Sequence, residues 1–174
     1  SKAPLSAEER KALLQAALDA RALAYCPYSN FRVGASLLLG DGRIIKGGNV
    51  ENASYPAGIC AERSALLTAQ ASCFPPTAAT SSAKSPLQGQ IRAIAVSSDL
   101  PSSPCSPCGV CRQFIREFCE LDMPIYMVWG EWREECESDD EVEGSKTKGR
   151  IVRTLEELLP LSFGPEELAR PRDA

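Results

Sequence analysis

Residues 91–98 form a short, nearly wholly apolar run, and 101–107 a stretch rich in proline and serine. Residues 108–119 then carry a helical pattern with Val110, Phe114 and Phe118 on one face, and 124–129 are a second apolar run. This strand, helix, strand succession narrows the possible folds more than any other feature. The crossover forces the two strands to pair in parallel, and the helix that makes it covers a sheet face. The chain therefore reads as an α/β sandwich.

The remaining elements fit around that unit. Ser6 followed by Glu9 makes a capping box, and Leu14, Ala17, Leu18 and Ala22 recur at helical spacing, which predicts a first helix over 7–23, ended by Cys26-Pro27. An apolar run over 31–39, the turn Gly40-Asp41-Gly42 and a strand-like 43–49 read as a β-hairpin. Residues 49–58 are loop, and the alanine-rich pattern from Cys60 predicts a helix to about Ser72. Thr154 with Glu157 is a second capping box, for a short helix to Leu159, and Pro165 suits the first turn of a last one.

Two segments read as surface insertions in a single domain over 1–174. One is 72–89, with its prolines, serines and threonines; the other is 131–149, lengthening a hairpin between Trp129 and Ile151. Within the second, 134–143 hold seven acidic residues and no basic one. That run reads as a solvated excursion, with a partner-binding segment as the alternative.

A chain of 174 residues, 44% hydrophobic and 24% charged, has enough apolar material for one globular core. Its 23 acidic residues against 19 basic give a net charge of -4, which supplies no electrostatic drive toward a polyanion, so nucleic acid is not an expected partner. The acidic excess sits in one segment: outside 134–143, 16 acidic residues face 19 basic ones. There is no histidine, which excludes every Ser-His or Cys-His catalytic pair and every imidazole ligand. A transition metal here must be held by cysteine. Eight cysteines with no charged-then-apolar leader over 1–10 point to a reducing, cytoplasmic compartment. The longest uncharged stretch, 64–83, contains Gln70, Pro75, Pro76 and many hydroxyls, so no membrane span is expected.

Cys105, Cys108 and Cys111 are spaced by three, so two overlapping C-x-x-C pairs fit and spacing alone leaves the register open. Such a pair brings two sulfurs to one ion at about 2.3 Å, or serves as a redox dithiol. Cys60, opening its own helix, offers a third thiolate, with Glu62 two residues on and Arg63 one turn on. Helix first turns favour thiolates through the macrodipole and free N–H groups, which favours Cys60, Cys108 and Cys111 over Cys105 in its proline loop. Three thiolates leave a tetrahedral zinc one open position; Cys105 as a fourth ligand would close it and make the site structural. Glu62 is placed to exchange protons beside the metal without binding it. Arg63 can reach the Cys60 sulfur and offset the excess negative charge of three thiolates on Zn²⁺. Cys26, Cys73, Cys119 and Cys136 have no matching partner and read as thiols without a role.

These motifs, Cys60-Ala61-Glu62-Arg63 and Pro107-Cys108-Gly109-Val110-Cys111, stand with Asn49-Val50-Glu51-Asn52, Tyr25-Cys26-Pro27-Tyr28-Ser29 and Phe31-Arg32-Val33-Gly34-Ala35. With Leu158-Leu159-Pro160-Leu161-Ser162-Phe163-Gly164-Pro165 they resemble the cytidine deaminase family in its small, homotetrameric, all-cysteine branch. The resemblance covers nearly the whole chain outside the two insertions. It implies a three-layer α/β/α sandwich around a mixed sheet of about five strands. It further implies one zinc ion per subunit on Cys60, Cys108 and Cys111, with Glu62 as proton shuttle in the hydrolysis of cytidine and deoxycytidine to uridine and deoxyuridine. By the same resemblance Phe31 and Phe163 pack around the base, Asn49 and Glu51 hold the ribose 3′-hydroxyl, and Ala61 contacts the base through its backbone. Tyr55 and Phe163 resemble residues that reach a neighbour's site, which implies a homotetramer with shared active sites in pyrimidine salvage. Two other readings stay open: a deaminase of another aminated nucleoside on the same fold, and a four-cysteine structural zinc module. A polynucleotide editor is disfavoured, since no basic, aromatic stripe is present.

Overall fold

The computed structural model describes residues 4–73, 85–136 and 149–168. Five helices and five strands follow in the order α1 (Ala7–Ala20), β1 (Val33–Leu39), β2 (Ile44–Gly48), α2 (Ala61–Ser72), β3 (Ile91–Ser98), α3 (Gly109–Phe118), β4 (Pro124–Val128), β5 (Arg150–Thr154), α4 (Leu155–Leu158) and α5 (Pro165–Leu168). The strands form one sheet in the order β2-β1-β3-β4-β5. β3 and β4 pair in parallel, as the α3 crossover requires, and every other pairing is antiparallel. The sheet is mixed and five-stranded.

Alternation along the strands divides the core in two. Leu37, Leu39, Ile94, Val96 and Ile125 meet Ala61, Ala65, Leu66 and Ala69 of α2 and Ile115 of α3 on one face. Leu38, Ala93, Ala95, Tyr126 and Val128 meet Leu13, Leu14, Ala17 and Leu18 of α1 on the other. Helices on both faces give the three layers. The inner strand β3 is buried along almost its full length, which is why its sequence is apolar without alternation.

The helix ends follow their local chemistry. Ser6 accepts from the Glu9 amide and the Glu9 carboxylate accepts from the Ser6 amide, so the first capping box is present; Thr154 and Glu157 repeat it. The α-helical part of the first helix ends at Ala20, three residues short of the sequence boundary, because 21–23 tighten into a 3-10 turn. On α3, Cys111, Ile115 and Arg116 are buried, and Phe114 and Phe118 pack partly buried against the same core. Val110 is exposed, and the two rings, 5.5 Å apart, are half-buried. These three residues line an open groove of about 580 Å³ with Gly109, Gln113 and Glu117.

The two expected insertions fall largely outside the described residues, which omit 74–84 and 137–148. The strands flanking the second do form the expected hairpin, with Met127 opposite Ile151. Among the described residues no helix is long and apolar enough to cross a membrane.

Candidate metal centre and catalytic site

α2 and α3 lie on the same sheet face and bring their N-termini together. Cys60 caps α2, Cys108 caps α3, and Cys111 is the third residue of α3. Two of the three cysteines thus stand at the cap itself, one step before the first turn. The three sulfurs all lie within 4.8 Å of one another, and Cys60 Sγ is 3.9 Å from Cys108 Sγ. Sulfurs bound tetrahedrally to one zinc at about 2.3 Å stand about 3.8 Å apart, so the donor set fits that ion in both element and spacing.

The electrostatics run the same way. The Cys60 thiol is pulled down to about 5, first by the hydrogen bond from Cys111 and then by Arg63 and Cys108. Cys111, which supplies that proton, is correspondingly pushed up. Cys105 is pushed up to about 11, chiefly by burial, and packs partly buried against the core. Among the described residues it stands outside the sulfur cluster. The 108/111 register therefore matches the geometry, and a closed four-cysteine site does not.

Glu62, the second residue of α2, is only 3% exposed. Burial raises its carboxyl above the usual range, and the neighbouring Cys60 charge adds to that rise. Arg63 donates from Nη2 to the Gly58 carbonyl at 3.0 Å, and its positive charge faces the Cys60 and Cys111 sulfurs. Its Nε is buried and, among the described residues, without a hydrogen-bond partner. Ala61, between the cap cysteine and Glu62, is fully buried.

Of the residues expected around a ligand's sugar and base, Phe31, Asn49, Glu51 and Tyr55 lie on two neighbouring loops, whereas Ala61 opens α2 and Phe163 follows α4. The Asn49 amide is tied to backbone: Oδ1 accepts from the Val33 N–H at 2.8 Å and Nδ2 donates to the Phe31 carbonyl at 2.9 Å. Phe31 is half-buried beside it. The Glu51 carboxylate accepts from the Tyr28 N–H at 2.9 Å, the Ser29 N–H at 3.2 Å and the Ser29 hydroxyl. These bonds, the Ser29 hydroxyl foremost, hold it below the usual carboxylate range. Tyr55 and Phe163 are 75% and 59% exposed. Tyr55 meets only a tilted Tyr28 ring among the aromatic contacts of the described residues, with centroids 5.9 Å apart.

Sequence reasoning passed over three side chains that hold the segment carrying Phe163. Arg112 donates to the Pro107 and Leu158 carbonyls and to Ser106, Gln113 to the Phe163 carbonyl at 2.9 Å, and Arg116 to Ser162 and Glu166. Their spacing on α3 gave one signal: polar residues at 112, 113 and 116 flank a buried stripe at 111 and 115.

Comparison with known proteins places this geometry. A family model described as the cytidine and deoxycytidylate deaminase zinc-binding region matches residues 7–127. The chain is 37% identical to a cytidine deaminase of Halalkalibacterium halodurans over 161 residues, covering 92% of this chain and 98% of that one. It is also 37% identical to one of Sporosarcina psychrophila, over 90% of this chain and 93% of that one. A crystal structure of cytidine deaminase from Burkholderia pseudomallei superposes with a TM-score of 0.65 at 36% identity, covering 87% of this chain and 97% of the other. A match over most of the chain, with the cysteine-bearing helix starts inside the matched region, shows that this chain belongs to the cytidine and deoxycytidylate deaminase family.

Proposed function

We propose that this protein hydrolyses free cytidine and deoxycytidine to uridine and deoxyuridine with release of ammonia. The observation that carries this reading is a three-sulfur cluster with zinc-like spacing beside a buried carboxylate. Cys60, Cys108 and Cys111 would hold one zinc ion per subunit, a three-thiolate set that would leave it open to a further ligand. When bound, the ion supplies a Lewis acid that makes water a competent nucleophile near neutral pH.

The chain's own residues do the rest. Glu62 takes a proton from the attacking water and delivers it to N3 of the base, while the water oxygen bonds to C4. The same carboxylate then takes the remaining proton from the new C4 hydroxyl and gives it to the departing amino group, so that the carbonyl forms as the C–N bond breaks, one water enters and one ammonia leaves. Burial suits Glu62 to this duty, because a carboxyl raised above its usual range holds a proton more readily between accepting and returning it. Arg63 draws the Cys60 sulfur's charge toward itself and away from the reacting centre. Phe31 and Phe163 pack around the base, the Ala61 backbone contacts it, and Asn49 and Glu51 hold the ribose 3′-hydroxyl.

A homotetramer with active sites shared between subunits is part of the same reading. The exposed Tyr55, Val110, Leu161 and Phe163 support it, since large apolar side chains left in water mark surfaces that a partner covers. The cysteines of the described residues, all of them free, support a reducing, cytoplasmic setting and a place in pyrimidine salvage.

The direct test is a cytidine absorbance assay before and after prolonged chelation, with metal analysis on the same samples. Activity should vanish with the zinc and return on adding it back. Glu62→Ala should keep its zinc and lose about 10⁴-fold in turnover, the upper end for general acid–base work, since it serves two transfers. A chelated enzyme of full activity, or a Glu62→Ala variant retaining a tenth of turnover, would refute the reading.

A further inference from the structure

Ser29 is the joint between the two loops that flank the site. Its hydroxyl has one proton, and the Glu51 carboxylate can only accept, so that proton points to Glu51 Oε1. Ser29 Oγ in turn accepts from the Phe31 N–H at 3.1 Å, and an N–H can only donate. The bond directions are therefore fixed, running from the Phe31 amide through Ser29 to Glu51. Oε2 of Glu51 is filled by two amides, those of Tyr28 and Ser29, while Oε1 takes the hydroxyl alone and keeps one lone pair free of the loop's own bonds.

The surrounding backbone leaves little slack. The Asn30 N–H closes a turn on the Cys26 carbonyl at 2.9 Å with φ at 54°, the left-handed region that asparagine tolerates. The Tyr25 N–H donates to the Asn49 carbonyl and the Glu51 N–H to the Tyr25 carbonyl, at 2.8 and 2.7 Å. Phe31 is held from its other side by Asn49. What remains adjustable in this assembly is the Glu51 side chain, and Ser29 is the side chain that fixes it.

We infer that Ser29 is a positioning residue for sugar recognition: it aims the free lone pair of Glu51 Oε1 at the ribose 3′-hydroxyl and, through the Phe31 amide, ties that aim to the base wall. This rests on the proposed deaminase reading and on Glu51 as the 3′-hydroxyl acceptor. Ser29 itself touches neither sugar nor base.

The test compares kcat/KM for cytidine and 3′-deoxycytidine in the zinc-loaded wild type, Ser29→Ala, Ser29→Thr and Glu51→Gln. Wild type should favour cytidine by about tenfold or more, the effect of one hydrogen bond to a charged group. Ser29→Ala should lower that preference by about three- to tenfold, with KM rising and kcat nearly unchanged. Ser29→Thr, which keeps the hydroxyl on an exposed residue, should restore it. Ser29→Cys, a weaker donor, should fall between and carries the comparison if the alanine variant does not fold.

A merely structural role would weaken both substrates equally, so an unchanged preference in Ser29→Ala overturns the inference. If Glu51→Gln loses the preference and Ser29→Ala keeps it, the positioning role fails and the sugar reading stands. If Glu51→Gln keeps the wild-type preference, both fail together.

Discussion

Gly47→Ala would press a methyl group into the backbone of α2, the helix that carries Glu62. Built on the β2 backbone, the new Cβ lies 2.4 Å from the Ala65 nitrogen, 2.7 Å from the Ala61 oxygen and 2.9 Å from the Ala65 Cα. Ordinary contact begins at 3.4 Å, so strand and helix must part by about 1 Å. No side chain can rotate aside, because the colliding atoms are main chain. Overpacking costs about 1 to 3 kcal/mol, and this case belongs at the top of that range. Restricting the unfolded chain returns about 0.4 to 1 kcal/mol, which leaves a net loss of about 2 kcal/mol. For a domain of this size that lowers Tm by about 4 to 8 °C. The same displacement moves Glu62 relative to the sulfurs, and a misplacement of about 1 Å costs about 10²-fold in rate. Calorimetry and cytidine turnover should be compared with Gly40→Ala, whose Cβ meets only the Gln90 backbone and side-chain oxygens at 3.6 and 3.9 Å and should leave both unchanged. If G47A melted within a degree of wild type at full turnover, the claim that close backbone approach positions α2 would be wrong.

Metal analysis should find zinc lost from Cys108→Ala and from Cys111→Ala but retained by Cys105→Ala, since the Cys105 sulfur stands outside the cluster. The Glu9 carboxylate is held below its usual range by the hydrogen bond from Arg92, which joins α1 to β3. A lowered folded-state pKa adds stability above the ordinary carboxylate range, near pH 4 and up, which is lost as pH falls through the folded value. Arg92→Gln should therefore flatten the acid limb of a Tm-versus-pH profile and cost up to about 1 kcal/mol near neutrality, the pair being partly exposed. Excising 134–143 and closing the gap with a short turn should leave cytidine turnover within a few-fold; gel filtration that shows a lost oligomer would make the segment an interface element instead.

Local chemistry made much of this molecule legible in the sequence. The capping boxes at Ser6 and Thr154 satisfy orphan helix amides with neighbours three residues away, so no distant contact was needed to place them. The β3 run 91–98 matched its strand to the residue because a buried inner strand is apolar on both faces. The cysteines at 60, 108 and 111 were legible as a donor set because the absence of histidine left no other soft ligand. Val110, Phe114 and Phe118 share a face as their spacing indicates, but which α3 residues are fully buried, Cys111 and Ile115, and which line a groove was not legible from hydrophobicity alone.

The residue types and their spacing determined the helices, the hairpin, the parallel pair and the candidate ligands, since each depends on contacts within a turn or on one crossover. Only the tertiary structure decided which overlapping C-x-x-C pair faces Cys60, because that depends on how α2 and α3 converge across nearly fifty residues of chain. It likewise decided that Cys105 turns into the core, where desolvation keeps it a thiol. The Ser29 relay was equally invisible beforehand: a serine in a turn is ordinary, and its meaning comes from Glu51, brought within hydrogen-bond reach by the pairing of loops that are distant in sequence.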